Sequence, residues 1–445
     1  MRIKSISGSK EFRIDSKYSW SSLDWQWKKM LVRRIANAKL NFMLEFNFFE
    51  RCNLRKQIYL FFFFNLMNCS STKNSSFIES IFLPDSVEIS FSAVGDLMVH
   101  SSQLEANYDK STRKFDFHQS FQFVEPIFQT TEINFGNLET TLPNDVKLFS
   151  GYPEFGSPNE YAYAIKDAHF NILSTANNHS VDKGSVGIEN TIRTLKSLEI
   201  SQIGTYLNLE DYNKRRDFYI NLKGYKIFIY NYTYGTNGLV VPEPNIVKHI
   251  DEIVIQEDLK RAKDLGADCI IVSYHYGGEY LREPDKEQLR WVNIAIDNGA
   301  DIILGGHPHV LQKYELKKYS DRYGESKERL ILYSMGNFLS GQRYPHTDGG
   351  AIFQWNLKME KNRSTFQGTK NTIENFHYIP TWVYPNLKGK GNKYAILPVT
   401  KYFDKSLKET DKSIQPLELD TQSKRAMKFF MKNTIDLLGD SILDF

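Results

Sequence analysis

Cysteine is scarce in this chain: Cys52, Cys69 and Cys269 are the only three in 445 residues. Three scattered thiols exclude a disulfide framework and a thiolate zinc site. A run of about 20 apolar residues, the length of a spanning helix, is also missing. Neither sign of charge dominates, with 56 Lys and Arg against 53 Asp and Glu. Glycine and proline, at 26 and 14 residues, are too few for a collagen-like or low-complexity chain. What remains is the composition of a folded protein, 41% hydrophobic and 24% charged. The length suits one large or two ordinary domains with a sizeable core.

The near-neutral total hides an asymmetry. Residues 1–76 carry 14 basic and 5 acidic side chains, whereas the rest of the chain has 42 basic and 48 acidic. The basic surplus therefore belongs to a leader, and the acidic body offers no nucleic-acid footprint. Within the leader, Arg51, Arg55 and Lys56 precede an apolar stretch from Ile58 to Met67 that only Asn65 interrupts. Its length suits the core of a secretory signal, about 7–15 residues, and not a permanent span. Cys69 follows at once, after Leu66-Met67-Asn68. This resembles a bacterial lipobox, in which the cysteine is acylated, although Asn68 stands where a small residue is usual. The expectation is an exported protein in the cell envelope, anchored on the extracytoplasmic side by lipid on Cys69. Ser70 to Ser76 reads as a flexible tether. A start at Met43 would give the leader an ordinary length and leave residues 1–42 untranslated. The expected organisation is a leader over 1–76, a principal domain over 77–357, and a C-terminal extension over 358–445. In that extension polar loops lead to an amphipathic helix, Ser423–Leu438.

From Val87 onward short β-branched and aromatic runs alternate with helix-length amphipathic segments. The pattern predicts strands at Val87–Val94, Ile133–Phe135, Asn171–Thr175, Lys226–Tyr232, Cys269–Tyr274, Asp301–Leu304 and Leu330–Ser334. It predicts helices at Ser185–Leu198, Asp251–Leu265 and Asp285–Asn298. Such alternation implies a layered α/β fold with mostly buried strands. Chemistry-bearing residues stand directly after these strands: Asp96, Glu139, Asn178 with His179, His275, and His307 with His309. In open α/β sheets ligands bind outside the carboxyl ends of the strands.

Taken singly, each of these residues has a bland explanation. Asp after a strand is commonly a turn residue or helix cap, and a lone histidine is commonly a satisfied core or surface group. Together they are harder to explain away. His307-Pro308-His309 puts two imidazoles on one tight turn after a buried strand, where packing has no use for them. Carboxylate, imidazole and carboxamide donors without thiolate suit divalent Mn, Fe, Zn or Mg. Six donors exceed what one tetrahedral ion requires, and a two-metal site with a bridging carboxylate accounts for them better than a single ion.

The motifs that hold these donors resemble the CapA family of capsule-synthesis, poly-γ-glutamate-type proteins, relatives of the calcineurin-like metallophosphoesterases. In order they are Gly95-Asp96-Leu97-Met98, Gly136-Asn137-Leu138-Glu139, Ala176-Asn177-Asn178-His179 with Asp182 and Gly184, His275-Tyr276-Gly277-Gly278-Glu279-Tyr280, Gly306-His307-Pro308-His309, and Ser334-Met335-Gly336-Asn337-Phe338. The resemblance covers roughly Glu88 to Asn356 and implies a four-layer α/β/β/α sandwich of the metallophosphoesterase type. It further implies that Asp96 binds a first metal, that Glu139 bridges, that Asn178, His275 and His307 hold a second metal, and that His309 returns to the first. His179 would be the catalytic imidazole. Met98 departs from the Asp-x-His of the phosphoesterases, and a thioether is a poor ligand for hard ions. One firm ion and one loose one are therefore expected. Tyr276 replaces a tryptophan, at little consequence.

Asp182, three residues past His179, is placed to orient it. His179 would then protonate a leaving oxygen. Three readings stand side by side: a membrane-anchored protein serving an anionic, poly-γ-glutamate-like polymer in its synthesis, export or release, alongside a capsule-synthesis ligase; a secreted metal-dependent phosphoester hydrolase; and a non-catalytic capsule scaffold.

Overall fold

The computed structural model describes residues 86–361, 369–387 and 393–443. The leader, with Met43 and Cys69, lies outside the described residues. The described chain builds part of one sheet, leaves to build a second, and then returns to the first.

The outward leg contributes β1 (Ser86–Leu97), β2 (Ile133–Leu138), β3 (Ile172–Ser174) and β4 (Ser201–Ile203). The second sheet follows as β5 (Tyr219–Leu222), β6 (Tyr225–Thr233), β7 (Cys269–His275), β8 (Ile302–Gly306), β9 (Tyr314–Ser320) and β10 (Ser326–Leu332). The return leg is β11 (Asn337–Leu339), β12 (Gly349–Lys361), β13 (Thr369–Leu387) and β14 (Lys393–Pro398). Strand order in the first sheet is β14-β13-β12-β1-β2-β3-β4, with β11 paired to the end of β1. The second runs β9-β10-β8-β7-β6-β5. Strands β1 to β4 are mutually parallel, as are β6, β7, β8 and β10. Their carboxyl ends can therefore form one rim in each sheet.

The two-residue period of the strands sorts the core into layers. Ile227 and Ile229 of β6 join Ile89, Phe91 and Phe135 of the first sheet in one cluster between the sheets. The intervening Phe228, Tyr230 and Tyr232 pack instead under α3 (Glu252–Asp264) and α4 (Lys286–Asp297). On the far side of the first sheet, Leu173 packs with α1 (Asn159–Asp167) through Tyr161 and Ile165, and with Leu195 of α2 (Gly184–Ser197). Helix, sheet, sheet and helix are thus stacked in that order. Side-chain caps fix the starts of α3 and α4. Asp251 accepts from Val254 N at 3.0 Å. Asp285 accepts from Gln288 N at 2.8 Å, and the Gln288 side chain accepts in return from Asp285 N. Each such cap is worth about 1 kcal/mol.

All seven expected strands of the body are present, several longer than expected. β1 runs on through Gly95-Asp96 to Leu97 because β11, about 240 residues away in sequence, pairs with it there, Asp96 opposite Asn337. The region beyond residue 358, expected as polar loops before a helix, instead carries the 19-residue β13 and then β14. Its final helix is α5 (Thr421–Leu438), whose Met427, Phe430 and Met431 enter the core between the sheets. No helix among the described residues is long and apolar enough to cross a membrane.

Candidate metal centre

Five strand ends meet at one rim. Asp96 ends β1, Glu139 follows β2, Asn178 and His179 follow β3, His275 ends β7, and His307 and His309 follow β8. All seven side chains are buried. The chain can bring them this close because of small residues behind them. A Cβ on Gly306 would sit 2.8 Å from Asp96 Oδ1, and one on Gly95 would sit 1.9 Å from the Gly336 carbonyl oxygen. The His-Pro-His turn holds both imidazoles in left-handed backbone, φ +95° at His307 and +58° at His309. Left-handed backbone is uncommon for non-glycine residues, so the turn that aims both imidazoles is held there by its surroundings.

Glu139 is the centre of the cluster. It is fully buried, and its Oε1 has no hydrogen-bond partner. Around that oxygen lie His275 Nε2 at 3.4 Å, His309 Nε2 at 3.8 Å and His179 Nε2 at 4.0 Å. Burial, followed by the charge of Asp96, pushes the Glu139 carboxyl well above its ordinary range. Burial also holds His275 and His307 well below theirs, with neighbouring imidazoles adding to the effect. Their rings are therefore neutral at pH 7 and have lone pairs to offer. A buried acid with an orphaned oxygen, faced by imidazole nitrogens, lacks a positive charge to stabilise its ionised form. A divalent cation would supply it.

The donors fall into overlapping groups whose ligand atoms lie within 4.8 Å of one another: Glu139, His275 and His307; Asp96, Glu139 and His309; and Glu279, His307 and His309. Asn178 faces the first of these, its Oδ1 2.7 Å from His275 Nε2. His307 Nδ1 is buried without a hydrogen-bond partner. The set fits a divalent metal, with Glu139 common to two groups.

Carboxamides orient the donors. Asn337 Nδ2 donates to Gln342 Oε1 and to the Thr347 carbonyl, both at 2.9 Å. Its Oδ1 is thereby turned to His309 Nδ1 at 3.2 Å, where Asp96 Oδ2 also lies at 3.1 Å. An Nδ1–H shared between those two oxygens leaves the His309 Nε2 lone pair facing Glu139. Asn137 Nδ2 donates to Asp96 Oδ1 at 2.8 Å and lies 3.3 Å from His275 Nδ1. Neither Asn137 nor Asn337 was singled out from the sequence, although both lie inside quoted motifs. Glu279 was likewise quoted without a role.

His179 and Asp182 sit beside the donors. His179 Nδ1 is 2.7 Å from Asp182 Oδ2, and Phe155 packs edge-on against the ring at 4.6 Å between centroids. Asp182 also accepts from Phe155 N. Met98 is buried, and its backbone N–H donates to the Leu339 carbonyl. His100, two residues on, does not replace a histidine there. Its Nδ1 accepts from Gly341 N at 3.0 Å, and burial lowers its pKa to about 4.

Two face-to-face sheets flanked by helices make a four-layer α/β/β/α sandwich, and the donor rim at their strand ends is its candidate metal centre. The profile of the family described as bacterial capsule synthesis protein PGA_cap matches residues 90–342, more than half of the chain, and the chain belongs to that family. It is similar to the capsule biosynthesis protein CapA of Bacillus anthracis, 27% identical over 280 residues, covering 61% of this chain and 64% of that protein. It is also similar to the PGA biosynthesis protein CapA of Bacillus subtilis (strain 168), 30% identical over 275 residues, covering 61% and 68%. The chain thus spans under two thirds of the first relative's length. Among solved structures it is similar to the NAD nucleotidase NadN of Haemophilus influenzae, with TM-score 0.43 and 14% identity over 80% of this chain and 58% of that one. The calcineurin-like phosphoesterase YfkN of Bacillus subtilis gives TM-score 0.35 and 14% identity over 65% and 91%.

Proposed function

We propose that this protein is anchored at the extracytoplasmic face of the membrane and acts in the synthesis, export or release of an anionic, poly-γ-glutamate-like capsule polymer through a metal-dependent hydrolytic site. Membership of the capsule-synthesis family supports the biological setting. The observation that carries the chemistry is the buried Glu139 carboxylate, whose orphaned Oε1 faces three imidazoles. On this reading Asp96, Glu139 and His309 hold one divalent ion, and Glu139, Asn178, His275 and His307 hold a second. Mn, Fe, Zn or Mg would serve, acting as Lewis acids on a substrate oxyanion and on water.

The remaining work belongs to side chains. Asp182 fixes the His179 ring through Nδ1, and Nε2 carries the proton for a leaving oxygen. Phe155 shields that dyad from water. A leaving alkoxide needs such a proton, which favours phosphoester hydrolysis as a second reading of the same site. The test incubates the full chain with Mn²⁺, or with chelator, against poly-γ-glutamate and against chromogenic phosphodiesters. Polymer shortening that the chelator abolishes is expected. Turnover of phosphodiesters alone would move the assignment to the second reading, and no metal-dependent turnover of either substrate would overturn both.

A further inference from the structure

The open side of the donor cluster holds a carboxylate that the ligand assignment above leaves without a task. Glu279 is exposed, yet it has a carboxylate oxygen within 4.8 Å of ligand atoms of both His307 and His309. Its position is set by the backbone on both sides. Tyr276 N donates to the Gly306 carbonyl at 3.1 Å, and Tyr280 N donates to the Pro308 carbonyl at 2.8 Å. The loop bearing Glu279 is thereby fastened to the His-Pro-His turn itself. Further along, Arg282 Nη2 donates to the Asn433 carbonyl of α5 at 2.9 Å. Gly278 N donates to Asp285 Oδ2 at 3.0 Å. The next residue, Tyr280, is held at φ +65°, a conformation costing a non-glycine residue roughly 1–2 kcal/mol. An exposed glutamate on an unconstrained surface loop has no need of such fastening.

The first metal position is the one with a deficit. Asp96, Glu139 and His309 supply three donors, and Met98 supplies no hard one. Glu279 is exposed and shares a group with His309 of this position as well as with His307 of the second, whose four donors are already in place; an oxygen donor suits the same ions that Asp96 and Glu139 suit. We propose that Glu279 is the fourth protein ligand of the first metal position, making good the donor that Met98 does not provide. This rests on the metal-dependent reading of the site. The ion it completes is the looser of the two, because one of its ligands is on a solvent-facing loop.

The test is metal binding by the full chain, independent of any turnover. Protein stripped by chelator is titrated with Mn²⁺, free ion being read from its electron paramagnetic resonance signal, for wild type, Glu279→Gln, His309→Ala and the double variant. Two classes of bound Mn²⁺ are expected for wild type. Glu279→Gln should weaken the looser class by at least ~10–100-fold, the loss typical even for groups that only support a ligand, and leave the tighter class unchanged. The double variant should lose the looser class entirely. Because Glu279 is exposed, the Gln variant should keep the wild-type circular dichroism and melting temperature. Unchanged affinities in that folded variant, or equal weakening of both classes, would overturn the Glu279 assignment while leaving the metal reading intact. Absence of Mn²⁺ binding by wild type would instead overturn the two together.

Discussion

His179 shows how much a single side chain can decide. It follows Asn178 directly, yet the two point to different tasks: Asn178 Oδ1 meets His275, whereas His179 is held by Asp182. A positioned acid contributes about 10²–10⁴ in rate. His179→Ala should therefore keep its bound metal and its fold while losing turnover of that order on substrates with alkoxide leaving groups. Nitrophenyl esters, whose leaving groups need little protonation, should be affected much less. Steady-state rates on the two substrate types, with metal content measured beside them, make the check. Equal losses on both would remove His179 from the acid role, and loss of metal would make it a ligand. The sequence displayed the donors themselves, because carboxylate and imidazole after a strand are visible in one dimension. It did not display the task of Asn337, since an amide's orientation depends on Gln342 and on the Thr347 carbonyl.

At the scale of elements, the return leg is the part the sequence concealed. Polar residues of β13 dilute the apolar alternation that marks a strand, and β14 offers only the short apolar run Tyr394 to Leu397. Both strands nevertheless complete the first sheet, and α5 closes the core beside them. Phe430 of α5 is 3% exposed, and its ring lies against Gly349, where an added Cβ would come within 2.8 Å of it. Truncating a buried phenylalanine typically costs about 3–5 kcal/mol. Phe430→Ala should lower the urea midpoint by a corresponding amount without a change in slope. A shift below about 1 kcal/mol would mean that α5 packs only loosely on the sheets. The same helix holds Arg282 through the Asn433 carbonyl, so the C-terminal region also supports the loop that bears Glu279.

For the whole molecule, the proposal of membrane attachment stands on the leader's pattern, a basic cluster and a short apolar run ending at Cys69. Cys69→Ser should move the protein from the membrane fraction to the soluble fraction, measured by fractionation and immunoblot. Unchanged membrane partition would remove lipid on Cys69 as the anchor. In the body, the sequence by itself determined the local elements and the donor inventory. Periodicity, caps such as Asp251 and Asp285, and residue type all act over a few positions. Only the tertiary structure decided which donors share an ion-sized space. That depends on the stacking of two sheets and on close approaches such as Gly306 to Asp96. It depends equally on strand β11, which reaches β1 from about 240 residues away. Contacts at that separation leave no periodic trace in a single chain, because they are selected by the packing of the whole core and not by neighbours in sequence.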